Sequence, residues 1–179
     1  MKFTILILLA VLSGCKPAPT TDLEELFGIH IGKPLPEEYS NTEVTEYPTK
    51  LLSIKINSHT ELAEFFRNIS VQVIASDNRV YSITADREIV NMTECQKKYL
   101  KLSKILDRTY KDLKQHREVE LGGKVRKVDD GYRSLDGRKH LRTTCLITDK
   151  DVVKQSISLW ETELANYSKE LWGEYLVQN

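Results

Sequence analysis

The chain has 179 residues, of which 40% are hydrophobic and 29% are charged, and its 26 Lys and Arg residues balance 26 Asp and Glu residues. This length suits one folded domain with its own hydrophobic core. The composition excludes an intrinsically disordered chain and a body built from membrane-spanning helices, and the balanced charge excludes a polyelectrolyte.

The first fourteen residues follow the order of segments found in a secretory signal. Lys2 supplies a positive charge, Phe3 to Leu12 forms an apolar run, and the small residues Ser13 and Gly14 follow. An apolar run of this length is too short to span a bilayer as a helix. We therefore predict that residues 1–14 are an export signal and take no part in the fold.

The residues that end this segment carry a specific resemblance. Leu12-Ser13-Gly14-Cys15 resembles the lipobox of bacterial lipoproteins, which is cleaved before the cysteine and carries diacylglycerol on its thiol. The resemblance implies palmitate-type acylation of Cys15 and firm attachment through two or three acyl chains. Because Lys16 is not Asp, it also implies the outer membrane, facing the periplasm, unless the source is Gram-positive. The alternative is an ordinary secretory signal that leaves Cys15 unmodified.

The residues after Cys15 are typical of a tether. Lys16 to Asp22 contains two prolines and no large apolar residue, which favours an extended backbone. We expect a signal peptide over 1–14, a lipidated cysteine and tether over 15–22, and a single extracytoplasmic domain over 23–179.

The start of that domain predicts a short helix followed by a brief strand. Thr21 suits the N-cap, Glu24 completes a capping box, and Gly28 suits the C-terminal stop. The strand that follows is interrupted by Gly32 and two prolines.

A strand, a short helix and a hairpin are predicted next. Residues 51–56 favour the strand, and the helix after it has an apolar face of Leu62, Phe65 and Phe66. Apolar and polar side chains then alternate over 71–75 and again over 80–84, on either side of a turn at Ser76 to Asn78.

Residues 91–114 carry the strongest helical pattern in the chain. Apolar side chains recur there at steps of three and four residues, forming one stripe of Cys95, Tyr99, Leu102, Leu106, Tyr110 and Leu113. Such a stripe packs against a core, so we expect Cys95 to face the core.

The segment from residue 117 to 148 predicts a β-meander whose last strand carries Cys145. Three dipeptides favour its turns: Gly122-Gly123, Asp130-Gly131 and Asp136-Gly137. The region after Val153 fits either one long helix or a strand to about Trp160 followed by a helix. We favour the second, because the preceding turn would pair it with the strand of Cys145. The predicted fold is α+β: an antiparallel β-sheet or meander packed against one long amphipathic helix and a C-terminal helix.

The three cysteines of the chain leave one without a partner in an exported protein. If Cys15 is lipidated, Cys95 and Cys145 remain as a pair in an oxidising compartment. Their disulfide would join the long helix to the sheet. The alternative is two buried free thiols.

The sequence carries no recognisable catalytic or metal-binding pattern. Its histidines are dispersed singly, without metal-ligand spacing, at His30, His59, His116 and His140. Ser76-Asp77-Asn78 matches one motif of penicillin-recognising enzymes, but the companion motifs are missing, so a β-turn explains it better. We therefore expect a non-enzymatic protein with no catalytic residues, metal ligands or cofactor.

Aromatic residues gather toward the C-terminus at Trp160, Tyr167, Trp172 and Tyr175. Aromatic side chains are enriched in interface hot spots, and Trp172 lies off the helical stripe. We therefore consider Trp172 and Tyr175 a candidate binding rim, with core packing as the alternative.

Charge is segregated along the chain. From Lys97 to Arg142 there are 15 basic and 7 acidic residues, whereas from Asp22 to Glu88 there are 6 basic and 12 acidic residues. A basic face on a tethered protein favours an anionic envelope surface or an acidic envelope protein as partner. Alternatively, the basic and acidic segments pair with each other within the fold, and the charge segregation then implies no external partner. Nucleic acid is not expected, because no aromatic-basic recognition motif is present.

These observations favour a bacterial envelope lipoprotein with a non-enzymatic binding or accessory role. The alternative is an inhibitor or immunity-type lipoprotein that blocks an enzyme acting on the envelope. A small, tethered body with segregated charge also suits that task, since charge complementarity speeds association.

Overall fold

Strands dominate the fold of the computed structural model, which describes residues 22–39, 48–55, 61–66, 68–122, 124–148 and 151–178. The α-helices are α1 (Met92–Tyr110) and α2 (Thr162–Gln178), and short 3-10 helices occupy Glu37–Tyr39, Glu61–Glu64 and Lys111–Leu113. The strands are β1 (Glu25–Leu26), β2 (Ile29–His30), β3 (Thr49–Lys55), β4 (Asn68–Ile74), β5 (Val80–Ile89), β6 (Lys114–Gly122), β7 (Lys124–Arg133), β8 (Lys139–Ile147) and β9 (Val153–Glu161).

The main sheet has seven strands in the order β3-β4-β5-β9-β8-β7-β6, with every neighbouring pair antiparallel. α1 carries the chain from β5, in the middle of the sheet, to β6 at its edge. The meander β6-β7-β8 then returns and places β9 beside β5. The predicted α+β class, with an antiparallel sheet, a long packed helix and a C-terminal helix, is confirmed.

One face of the sheet packs against α1. Side chains alternate between the two faces of a strand, and those on the α1 side are apolar where the central strands meet the helix. The main cluster includes Ile83, Ile157, Leu159 and Leu141 from the sheet and Leu102 and Leu106 from α1. The predicted stripe is confirmed in this helix, since Cys95, Tyr99, Leu102 and Leu106 are all buried.

The disulfide between Cys95 and Cys145 joins α1 to β8. The two sulfur atoms lie 2.06 Å apart and the Cα atoms 6.0 Å apart. Both cysteines are fully buried, in a cluster with Tyr99, Val128 and Val153. The predicted pairing of helix and sheet is therefore present, and the alternative of two free thiols does not hold in this structure.

The predicted helix over residues 21–28 is wrong over the residues that the structure describes. Residues 25–30 instead form a β-hairpin, in which Leu26 pairs with Ile29 and Glu25 with His30. The two-residue turn has positive φ at both positions, 57° at Phe27 and 79° at Gly28, as the tightest hairpins require. Burial of Leu26 and Ile29 in the main core stabilises this hairpin over an isolated helical turn.

One predicted turn is also wrong. Asp130-Gly131 lies inside β7, where Asp130 pairs with Thr143 and Gly131 with Arg142. Asp136-Gly137 does form the turn between β7 and β8, with φ of 76° at Gly137. Gly123 lies outside the described residues, so the Gly122-Gly123 turn stays a prediction.

Other predicted elements agree with the structure. The hairpin of β4 and β5 is confirmed, and the region after Val153 divides into strand β9 and helix α2. The short helix before β4 is a single 3-10 turn, after which Phe65 and Phe66 enter the core.

Candidate functional site

A polar face of the sheet lies opposite α1. The strand register aligns Thr84, Ser158, Arg142 and Gly131 in one row across four strands. In the next row Ser82 aligns with Trp160, His140 and Arg133. A cavity of about 340 Å³ opens where these rows meet β7 and β8, lined by Gln115, Gly131, Tyr132, Arg133, His140, Leu141, Arg142 and Trp160.

Gly131 lines this cavity from the interior of β7. It lies between Asp129 and Arg133 on one face of β7, because side chains two residues apart point the same way. Gly131, Arg133 and Arg142 all line the cavity. Glycine in the interior of a strand commonly marks close approach by a ligand or another backbone.

Arg142 is held in place by a buried carboxylate. Its Nε and Nη2 atoms donate hydrogen bonds to Oδ2 of Asp129, and Nζ of Lys127 lies 2.8 Å from the same oxygen. Burial disfavours ionisation of Asp129, but the hydrogen bonds and charges of Lys127 and Arg142 outweigh it and lower its pKa. The buried carboxylate of Asp129 therefore fixes the position of the Arg142 guanidinium.

Arg133 adds a second positive charge at the cavity. Its Nε donates a hydrogen bond to the carbonyl oxygen of Gly137 at 3.0 Å, which restrains the side chain. Among the residues that the structure describes, no carboxylate forms an ion pair with Arg133. The described lining of the cavity contains two arginines and no acidic residue. Arg133 therefore gives the cavity a positive charge that no described carboxylate pairs.

His140 and Trp160 form an aromatic wall of the cavity. Their rings stack with centroids 5.3 Å apart and an interplanar angle of 14°. Burial and the nearby charge of Arg133 lower the pKa of His140, so the imidazole is neutral at pH 7. The site therefore combines positive charge with an uncharged aromatic surface.

The residues predicted from sequence lie elsewhere. Trp172 is half-buried, and its Nε1 donates a hydrogen bond to Oγ1 of Thr49 at 3.0 Å. The side chain of Tyr175 and the whole of Cys15 lie outside the described part of the chain, so the rim and the lipidation site stay predictions. Trp160 is one of the four C-terminal aromatic residues noted in the sequence, whereas neither Arg133 nor Arg142 was predicted to be a site residue. The sequence signal that could have found them is the two-residue spacing of Gly131 with Arg133 and of His140 with Arg142, because residues two apart on a strand share one face.

A partly buried polar network on the other face fixes α1 to β6 and β7. The Tyr132 hydroxyl donates to Oδ1 of Asp107 at 2.7 Å, and Nζ of Lys114 lies 2.9 Å from the same oxygen. Ser103 Oγ donates to Asp130, which is fully buried. Burial and the hydrogen bond to Asp107 raise the pKa of Tyr132, so it stays protonated. The network is positioned to hold the helix rather than to meet a ligand.

Ion pairs connect the basic and acidic segments. A groove of about 710 Å³ between Glu61–Glu64 and α1 is bordered by two such pairs, Lys101 with Glu64 and Arg108 with Glu61, both at 2.8 Å. Lys139 pairs with Glu24 at 2.8 Å. These three pairs join the basic segment to the acidic segment within the fold.

Comparison with models of protein families, with curated proteins and with solved structures finds no match for the chain. Among the described residues, no three His, Cys, Asp or Glu side chains group as a metal site would require. No described helix is long and apolar enough to cross a membrane.

Proposed function

We propose that the chain is a membrane-anchored envelope lipoprotein with a non-enzymatic binding role, and that the cavity at Gly131 holds an anionic group of its ligand. The observation that carries the proposal is Arg133, an arginine of the lining that forms no ion pair with a carboxylate of the described residues. Charge-assisted hydrogen bonds from arginine are among the strongest available to a protein for binding phosphate or carboxylate.

The position of the tether supports a ligand at the membrane surface. Asp22 lies seven positions after Cys15, so the tether spans at most about 25 Å. Oδ1 of Asp22 accepts a hydrogen bond from the backbone N–H of Leu135 at 3.2 Å, in the turn between β7 and β8. Arg133 and His140 lie at the ends of the strands that this turn connects. A lipid on Cys15 would therefore keep the cavity close to the bilayer.

The side chains at the cavity favour binding over catalysis. Its described lining contains no serine, cysteine or carboxylate that could act as a nucleophile or be paired with His140 as a general base. The lining therefore supplies positive charge, hydrogen-bond donors and an aromatic surface, which suffice for recognition.

The anchor is tested by Cys15→Ser. We expect the wild-type protein to carry the added mass of acyl chains and to sediment with membranes, and the variant to lose both properties. A Cys15→Ser protein that keeps its membrane association and an unchanged mass would contradict the anchor.

The binding site is tested with the full chain in nonionic detergent. Binding of two small anions, glucose 6-phosphate and glucuronate, is measured by calorimetry at low salt, because exposed charges are screened at high salt. We expect at least one to bind and Arg133→Gln to weaken it at least tenfold. Arg138→Gln is the matched control, since Arg138 is exposed near the same turn but pairs with Asp136 at 2.8 Å. Absence of binding by both anions, or equal effects of the two variants, would refute the cavity as the binding site.

A further inference from the structure

We infer that the turn between β7 and β8, residues 134–138, is a second membrane contact, in which Leu135 enters the bilayer interface and Arg133 meets the phosphate of an anionic lipid headgroup. This inference rests on the lipid anchor of the proposed function and names the anionic group of its ligand as a lipid phosphate. Three features carry it: the position of the turn beside the tether, its exposed leucine and its unpaired arginine.

The tether enters the fold directly beside this turn. Oδ1 of Asp22 accepts a hydrogen bond from the backbone N–H of Leu135 at 3.2 Å. Glu24 then pairs with Lys139, the first residue of β8, at 2.8 Å. The point at which the tether leaves the domain is therefore fixed beside the turn. Because the tether spans at most about 25 Å, a lipid on Cys15 keeps the turn within that distance of the bilayer.

Leu135 is exposed on a turn that hydrogen bonds hold in shape. It is 64% exposed. Oγ of Ser134 donates a hydrogen bond to Oδ1 of Asp136 at 2.6 Å and accepts one from the backbone N–H of Lys139 at 2.8 Å. A single exposed leucine is common on protein surfaces and binds a membrane only weakly. Here the lipid anchor makes the second contact intramolecular, so a weak contact suffices.

Arg133 places a positive charge beside this leucine. It is exposed, and its guanidinium packs against Gly137, where Nε donates a hydrogen bond to the carbonyl oxygen at 3.0 Å. No carboxylate of the described residues pairs with it. Asp136, the carboxylate of the turn, pairs instead with Arg138 at 2.8 Å. Arginine is weakly hydrated and binds phosphate through charge-assisted hydrogen bonds, so an anionic lipid headgroup suits this position.

The opposite end of the sheet provides a matched control position. Val90 follows β5 directly and is 87% exposed. β9 begins at Val153, which pairs with Ile89, the residue before Val90. It ends at Glu161, which pairs with Lys139, the residue after the turn. Because the nine residues of β9 span about 27 Å, Val90 lies at the far end of the sheet from the turn.

The inference is tested with the acylated full chain reconstituted in vesicles of phosphatidylcholine and phosphatidylglycerol. Leu135→Cys and Val90→Cys each receive the same environment-sensitive fluorophore on the new thiol, since Cys95 and Cys145 are joined in the buried disulfide. We expect lipids with a nitroxide near the headgroup to quench the label at position 135 about threefold or more over that at position 90. Equal quenching at the two positions would overturn the inference.

Arg133→Gln tests the contact with phosphate separately from the leucine. We expect this variant to reduce quenching of the label at position 135 by about half or more in vesicles containing phosphatidylglycerol. Lys97→Gln is the matched control, because Lys97 is exposed near the start of α1, toward the end of the sheet where Val90 lies. Equal quenching in the wild-type protein and both variants would overturn the contact of Arg133 with a lipid phosphate.

The outcomes distinguish this inference from the proposed function. If the protein stays on the vesicles while the label at position 135 remains in water, docking of the turn is overturned and the lipid anchor is kept. If the chain carries no acyl chains and washes off the vesicles, the anchor is overturned and the inference with it. If glucuronate binds equally well in the presence and absence of phosphatidylglycerol, the anionic group belongs to a soluble ligand, which overturns the lipid assignment and keeps the binding site.

Discussion

Replacing both Cys95 and Cys145 by alanine tests how much the cross-link between α1 and β8 stabilises the fold. The bond closes a loop with a sequence separation of 50 residues. In the chain-entropy model, opening such a loop in the unfolded state lowers the free energy of unfolding by about 4 kcal/mol. For a domain of this size each kcal/mol corresponds to about 2–4 °C, so we expect a Tm lowered by about 8–16 °C.

The measurements are urea unfolding and thermal unfolding at pH 7, both followed by circular dichroism with and without a phosphine reductant. The reductant should lower the midpoint of the wild-type protein to that of C95A/C145A and should leave the double variant unchanged. A double variant within about 1 kcal/mol of the oxidised wild type would refute the reasoning, because it would mean that the loop does not limit the unfolded chain. A reductant effect on the double variant would show that the reductant acts elsewhere.

Two further predictions concern buried and half-buried polar groups. Tyr132→Phe removes the hydroxyl that donates to Asp107 and should lower the free energy of unfolding by about 1–3 kcal/mol, measured by urea unfolding; a loss below about 0.5 kcal/mol would contradict the importance of this bond. His140 has a lowered pKa in the folded protein, so the unfolded chain binds more protons as the pH falls from 7 through 6.5. The free energy of unfolding, measured by urea unfolding, should therefore be constant above pH 7 and should fall below about pH 6.5. The free energy of unfolding of His140→Gln should fall less over the same pH range. If the two proteins lose the same free energy of unfolding over this range, His140 does not contribute to the pH dependence.

The spacing of apolar residues along the sequence predicted correctly those elements whose apolar side chains pack in the core. The stripe of α1 places Tyr99, Leu102 and Leu106 in the core, and alternation placed the β4–β5 hairpin. Thr21 and Glu24 instead provided a helix-capping pattern that burial of Leu26 and its neighbours overrode. A capping motif contributes about 1 kcal/mol, which is less than burial of several aliphatic side chains provides.

The remaining features depend on register between distant strands. Asp130-Gly131 has the composition of a turn, yet Ser103 from α1 donates to the Asp130 carboxylate and so satisfies it inside a strand. The cavity arises because Gly131 is opposite Arg142 and His140 is opposite Trp160. A shift of one residue would move these side chains to the other face. No short window of sequence contains that information.

The position of β9 determines when the fold can be completed. This strand comes last in the chain, yet it lies between β5 and β8 and bridges the two halves of the main sheet. Until residues 153–161 are available, β5 and β8 each lack a neighbour, and their polar backbone edges remain unpaired. Pairing over such long sequence separations is slow, because the loop must close before its contacts form. The complete seven-stranded sheet can therefore form only after nearly all of the chain has been synthesised.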